Sequence, residues 1–329
     1  MTAPQGRTAA SAHLLIRADS GRQRGAGHVM RSLAVAEAAR EQGWRVTMSA
    51  DLSAVGWVTP WIESLGVDSV DPADGVEALV GLVGSTRAHA VLLDSYVFPD
   101  ALQAIEATGV ALANFEDAEF GRRPAHLSID YSLGAEAASR PDDGSATLLR
   151  GISFAPIRAE VRAARRGPRG EELLGRPVVA VLMGGTDARG LTATVEALIE
   201  SAGGRAQPVK GGLGLVSQLR QVDAVISTAG VSAYELACLG VPMALLQVAD
   251  NQGGNYHAML AAGAAAGLGT AAELRGQPAL VTERLAGWLG DPARLAAATR
   301  VARSLVDGDG AARIVGALTN ACQRNLREA

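Results

Sequence analysis

Short apolar runs, separated by stretches of helical periodicity, recur along nearly the whole chain, and this alternation constrains the fold more than any other feature. Leu14-Leu15-Ile16, Arg45 to Met48, Ala90 to Leu93, Val110 to Ala113 and Leu127-Ser128-Ile129 form a first set. A second set runs Val178 to Leu182, Ala206 to Val209, Ala224-Val225-Ile226, Met243 to Leu246 and the weaker Ala264 to Leu268. Unbroken apolar runs of strand length belong to parallel sheets buried on both faces, with the intervening helices as covers. The chain therefore reads as α/β, with two Rossmann-like domains. Its 329 residues agree, because single cores usually stop growing below about 250–300 residues.

The boundary is expected where composition shifts. Residues 12–156 read as the first domain, 157–176 as a linker and 177–325 as the second domain. The linker carries Arg158, Arg162, Arg165, Arg166, Arg169 and Arg176 around Gly167-Pro168 and Gly170, and it holds no convincing strand. Beyond Gln277 the pattern is helical, with Leu280, Leu285 and Leu289, then Ile314, Val315, Leu318 and Cys322, on repeating faces. Terminal helices of this kind pack on a sheet, and in a two-domain chain a return over the first domain is open to them.

Composition removes several classes of function. Hydrophobic residues make up 48% but aromatics only 4%, so the cores are filled by Ala, Val and Leu. The net charge is −4 and the basic residues are arginine except for Lys210, a balance that invites no nucleic acid. The two cysteines, Cys238 and Cys322, lie far apart in apolar helical surroundings and read as core; this excludes a disulfide framework and fits a reducing cytoplasm. The first residues lack the apolar run of a signal peptide, and no stretch approaches the roughly 18 apolar residues of a membrane span. A soluble cytoplasmic protein is expected. The 39 glycines exceed the usual share of roughly 7% and belong to turns, where phosphates are held.

Familiar nucleotide motifs are absent or partial. A Walker loop needs Lys beside Ser or Thr, but Lys210 precedes Gly211. A dinucleotide fingerprint is half present: Gly25-Ala26-Gly27 follows a strand and Asp51 ends the next, yet Met30 holds the third glycine position. Zinc-ligand spacing and a Gly-x-Ser-x-Gly elbow are missing.

Two segments do carry chemistry. After the first strand, Gly25-Ala26-Gly27 lets the backbone approach a ligand and sets His28 in the first turn of a helix, beside Arg31. The positive helix end there favours a neutral imidazole, a candidate general base. In the second half, a strand ending at Ser227 leads through Thr228 and Ala229 to a helix starting near Gly230, whose free N–H groups at Val231 and Ser232 suit an anion. Glu235, one turn on, is placed to accept both hydroxyls of a ribose. Gly184-Gly185-Thr186 offers a second set of backbone donors, and Lys210-Gly211-Gly212 reads equally as a nucleobase border or a plain turn. Asp94 and Tyr96 close a strand, as sugar contacts or helix caps; Asn251 and Gln252 open a helix, as caps or cleft residues. Arg17 and Asp19 read as a structural ion pair.

Together these motifs resemble the nucleotide-sugar hydrolases of pseudaminic acid biosynthesis, UDP-2,4-diacetamido-2,4,6-trideoxy-beta-L-altropyranose hydrolases, and their relatives the spore coat polysaccharide biosynthesis proteins. The likeness covers roughly Leu14 to Leu260. Arg17, Asp19, Gly25, Gly27, His28 and Arg31 match an Arg-x-Asp followed by Gly-x-Gly-His-x-x-Arg; Asp94 and Tyr96 match Asp-x-Tyr; and Gly151, Phe154, Ala155, Arg158 and Glu160 match a further segment. Gly184, Gly185 and Asp187, then Glu235 with Asp250-Asn251-Gln252, complete the pattern. Departures cluster in the first half: Ser20-Gly21, Arg24, Ser32, Glu116 of the Glu116-Asp117 pair, and Tyr131 to Gly134.

The resemblance implies a GT-B fold with a UDP-linked amino-deoxy sugar between the domains and no metal or cofactor. It implies that His28, with Asn251, activates a water that releases UDP with inversion. Gly25, Gly27, Arg31, Asp94, Tyr96 and Gln252 would face the sugar. Gly184, Gly185, Thr186, Lys210, Gly211, Ala229, Gly230, Val231, Ser232 and Glu235 would face the nucleotide. Two alternatives stand beside hydrolysis: an inverting glycosyltransferase with a hydroxyl acceptor, and an idle nucleotide-sugar binder.

Overall fold

A computed structural model describes residues 12–21, 25–165, 175–185, 187, 189–209 and 212–328, with side chains as far as 324. Of the expected site residues, Thr186, Lys210 and Gly211 lie outside the described residues, as does 166–174 of the expected linker. The first sheet holds seven parallel strands: β1 (His13–Ala18), β2 (Arg45–Ser49), β3 (Asp68–Val70), β4 (Ala90–Asp94), β5 (Ala111–Phe115), β6 (Leu127–Asp130) and β7 (Thr147–Arg150). Their order is β3-β2-β1-β4-β5-β6-β7. The second holds β8 (Val178–Leu182), β9 (Arg205–Pro208), β10 (Ala224–Thr228), β11 (Met243–Gln247) and β12 (Ala266–Thr270), all parallel, in the order β12-β11-β10-β8-β9.

Side-chain alternation explains the double cover. Along β1, Leu14, Ile16 and Ala18 enter one apolar core while Leu15 enters another; along β8, Ala180 and Leu182 share the first core, and Val179 and Val181 point to a third. The first core is continuous between the lobes: it joins β1 and β4 to Tyr234, Leu236 and Met243 of the second lobe. The edge strands β3 and β7 lack an apolar run; β3 is fully exposed and β7 only partly covered, so the hydrophobic pattern does not announce them.

Helices Pro278–Leu289 and Pro292–Leu305 stay with the second lobe, but the last helix, Gly310–Glu328, crosses back. It lies against helix Gly27–Glu41 and strands β5 and β6, burying Ala311, Ile314, Val315 and Leu318. Among the described residues, no helix is long and apolar enough to cross a membrane.

Each sheet has one place where the chain, having built outward on one side, returns to build on the other. In the first sheet this lies between β1 and β4, where Ala18 pairs with Asp94. In the second it lies between β8 and β10. Loops leaving such neighbours diverge and open a crevice at the carboxyl edge. Both glycine turns of the second lobe, and both the His28 and Tyr96 segments of the first, leave from these four strands.

Candidate active site

The two crevices face each other across one cavity of about 840 Å³. Gly25, Gly27, His28 and Tyr96 line it from the first lobe. From the second come Gly184, Gly185, Ala229, Gly230, Val231, Ser232, Glu235, Asn251 and Gln252. Residues separated by more than two hundred positions are thus brought to one space by strand order within each sheet and by the packing of the two lobes. Asp51, the acid of the partial dinucleotide match, is exposed and lies outside the lining residues.

His28 sits in the first turn of helix Gly27–Glu41 and is 6% exposed. Its Nδ1 lies 2.6 Å from Asp94 Oδ1. An ionised carboxylate only accepts, so Nδ1 carries a proton, and in the neutral ring the lone pair is on Nε2, across the ring. This corrects the sugar-contact expectation for Asp94, which is fully buried and absent from the cavity wall. Its Oδ1 also accepts from Arg31 Nη2 at 2.6 Å; its Oδ2 accepts from Arg31 Nε at 2.7 Å and Ser32 Oγ at 3.1 Å. Burial pushes the Asp94 carboxyl up, but Arg31 and His28 outweigh it and hold the group well below the usual carboxylate range.

Arg31 reaches the wall but is already engaged. Besides Asp94, its Nη1 donates to both Asp117 oxygens at 2.8 and 2.9 Å and to the Tyr131 hydroxyl at 2.9 Å. It is therefore a buttress under the wall. Despite burial, Asp117 and Asp94 hold its guanidinium well above the ordinary value.

Tyr96 packs edge-on to the His28 ring, with centroids 4.5 Å apart. Its hydroxyl donates to Asp117 and accepts from Asn251 Nδ2 at 3.1 Å, a hydrogen bond from lobe to lobe. Burial, with Asp117 alongside, pushes the phenol up and keeps it a donor. Gln252 Oε1 accepts from Val248 N at 3.0 Å, fixing the turn that presents Asn251.

In the second lobe, Gly230 precedes helix Val231–Leu239; the Ala233 N–H returns to the Gly230 carbonyl at 3.0 Å, which leaves those of Val231 and Ser232 at the open end. Gly185 marks a close approach: a Cβ there would lie 2.6 Å from the Trp57 ring and 2.7 Å from Ala26 Cβ. The same ring would lie 2.7 Å from a Cβ on Gly212, so one indole of the first lobe is wedged between two loops of the second. Glu235 is 6% exposed, and its oxygens accept from Arg158 Nε at 2.6 Å and Nη2 at 2.9 Å.

Asp117, Tyr131 and the grip of Arg158 on Glu235 were not read from the residues. Asp117 stands just past the end of β5 on the same carboxyl edge as Asp94, the one local signal that marks it. Arg17 Nη1 pairs with Asp19 Oδ1 at 3.0 Å. Cys238 is buried and Cys322 half-buried; burial pushes both thiols up to about 11.

No family model matches the chain, and neither does any curated protein. Solved structures do. MurG of Acinetobacter baumannii is 15% identical, with 94% of this chain and 99% of that chain covered and a TM-score of 0.65. The spinosyn rhamnosyltransferase SpnG, complexed with thymidine diphosphate, is 16% identical, with 94% and 100% covered and a TM-score of 0.62. The calicheamicin glycosyltransferase CalG4 is 14% identical, with 95% and 99% covered and a TM-score of 0.58. The fold is GT-B. In this GT-B chain the two lobes are the two parallel sheets, and the cavity is the cleft between them.

Proposed function

We propose that the chain transfers a glycosyl group from a nucleoside diphosphate sugar, a UDP-sugar by its motifs, to a hydroxyl acceptor, with inversion at the anomeric carbon. The observation that carries this reading is the single cavity: His28, oriented by Asp94, lines one wall, and the turns at Gly184-Gly185 and Gly230 line the other. Likeness to glycosyltransferase structures over nearly the whole chain supports a sugar donor.

His28 Nε2 takes the proton of the acceptor hydroxyl. The bond from that oxygen to the anomeric carbon forms as the bond to the diphosphate breaks on the opposite face, and the nucleoside diphosphate leaves with the electron pair. Backbone N–H groups at Gly185 and from Gly230 to Ser232 receive its charge. A general base contributes roughly 10²–10⁴ in rate and each aimed donor roughly 10²–10³. In this reading Glu235 holds the ribose and Thr186, Lys210 and Gly211 extend the nucleotide wall. Tyr96 and Gln252 border the sugar, with Asn251 next to the base.

Water in place of the acceptor is the second reading. It is favoured by the Gly-x-Gly-His-x-x-Arg, Asp-x-Tyr and Asp-Asn-Gln motifs shared with the nucleotide-sugar hydrolases. Incubation with UDP-linked amino-deoxy sugars separates the two. UDP release that waits for an added acceptor supports transfer, and free sugar formed at catalytic rates without one supports hydrolysis. Tight UDP binding without turnover of any supplied donor refutes both. His28→Ala is expected to leave UDP affinity nearly unchanged while turnover falls roughly 10²–10⁴-fold.

A further inference from the structure

Arg158 lies between the two sheets, on the segment that leaves the first lobe, and is 1% exposed. Its guanidinium touches both lobes. Toward the second, Nε and Nη2 take the two oxygens of Glu235, and Nη1 donates to the carbonyl of Gly212 at 3.0 Å. Toward the first, the guanidinium lies over the Trp61 ring, 5.5 Å from its centroid, and the next residue, Ala159, donates its N–H to Glu37 Oε2 at 2.6 Å. Nη1 also pairs with Glu160 Oε1 at 3.1 Å, so Nε and both Nη atoms are engaged without any ligand.

We propose that Arg158 is a positioning residue for the nucleotide, fixing the Glu235 carboxylate in the cavity wall, and the Gly212 loop beside it, so that Glu235 receives the vicinal hydroxyls of a ribose. The inference rests on the nucleotide-sugar reading and names the half of the substrate this part of the site selects. Each Glu235 oxygen uses one lone pair on Arg158 and retains another, so two adjacent hydroxyls find two acceptors held in one plane. A carboxylate this buried without its cation turns toward solvent or takes a proton, and in either case one acceptor is lost. Lysine keeps the charge but not the fork. A 2′-deoxynucleotide leaves one Glu235 oxygen without a hydroxyl, and a hydrogen bond to a charged group corresponds to roughly 10- to 100-fold in affinity.

The test is calorimetric titration of the full chain with UDP and with 2′-deoxy-UDP, comparing wild type, Glu235→Gln, Arg158→Lys and Arg158→Met. Wild type is expected to prefer UDP by about 10- to 100-fold. Glu235→Gln and Arg158→Met are expected to bring the ratio of the two affinities toward one, with Arg158→Lys between. A merely structural defect lowers both affinities together, so weaker binding of both with the wild-type ratio kept overturns the role of Arg158. If Arg158→Met does not fold, Arg158→Lys decides: the full wild-type ratio in that variant overturns the proposal. Wild type that ignores UDP overturns the nucleotide reading itself, and wild type that binds the two equally overturns the ribose contact at Glu235 and the proposal with it. Those failures are distinct from one in which Glu235→Gln shifts the ratio and the Arg158 variants do not.

Discussion

Replacing Asp94 by Asn removes one charge and almost no volume from beneath the base, and the surroundings dictate how the site responds. The Asn amide must set its NH₂ where one carboxylate oxygen stood. At the Oδ2 position it meets the Arg31 Nε–H, 2.7 Å away; at the Oδ1 position it meets Arg31 Nη2, 2.6 Å away, and the protonated His28 Nδ1. Either placement leaves at least one buried Arg31 N–H without an acceptor, a loss of about 1–3 kcal/mol in stability. Arg31 keeps both Asp117 oxygens, so its charge stays paired and the fold survives. In the second placement His28 relieves the clash by moving its proton to Nε2, which removes the base. Turnover is therefore expected to fall roughly 10²–10⁴-fold with UDP affinity nearly unchanged. The assay is nucleotide release from single and double variants, with denaturation curves in parallel. Because Asp94 acts through His28, Asp94→Asn should slow His28→Ala no further. An equal additional loss on that background, or a single variant with wild-type turnover, refutes the assignment.

Other substitutions probe the same geometry. Gly185→Ala drives a methyl into Trp57 and Ala26; it is expected to cost about 1–3 kcal/mol, to raise the KM for the sugar nucleotide and to shift tryptophan emission. Arg140 holds both oxygens of the buried Glu116, at 2.6 and 2.8 Å, and thereby pins the loop after β6. Arg140→Gln leaves that carboxylate buried without its cation and is expected to lower stability by about 3–5 kcal/mol in urea denaturation. The pH dependence of stability carries a sign. Asp94 is held below its unfolded value, so its contribution is complete above about pH 4 and fades as pH falls toward the lower folded value. The stability gap between wild type and Asp94→Asn is expected to shrink as pH falls below about 4.

Strands buried on both faces were legible because their apolar runs have no other use: β1, β4, β8, β10 and β11 fall where the pattern puts them. The edge strands β3 and β7 were not, since an exposed or partly covered strand carries little apolar signal. Glycines and His28 of the site were legible because turn chemistry is local. The order of strands is not, and it is order that brings Asp94 under His28, while the packing of one lobe on the other brings Asn251 against Tyr96. Asp94 read as a sugar contact because sequence shows a carboxylate at a strand end but not the Arg31 that faces it inward. Arg158 belongs to a segment that carries the resemblance, but its grip on Glu235 was not legible, since that partner is 77 positions away.

The path of the last helix has a consequence for biosynthesis. Ile314, Val315 and Leu318 complete the cover over β5 and β6, strands made some two hundred residues earlier. At about 5–20 residues per second the ribosome needs on the order of 10–40 s to bridge that interval. Through that time the first lobe stands with an apolar flank open to water, and the second, whose own helices follow it at once, is complete before it.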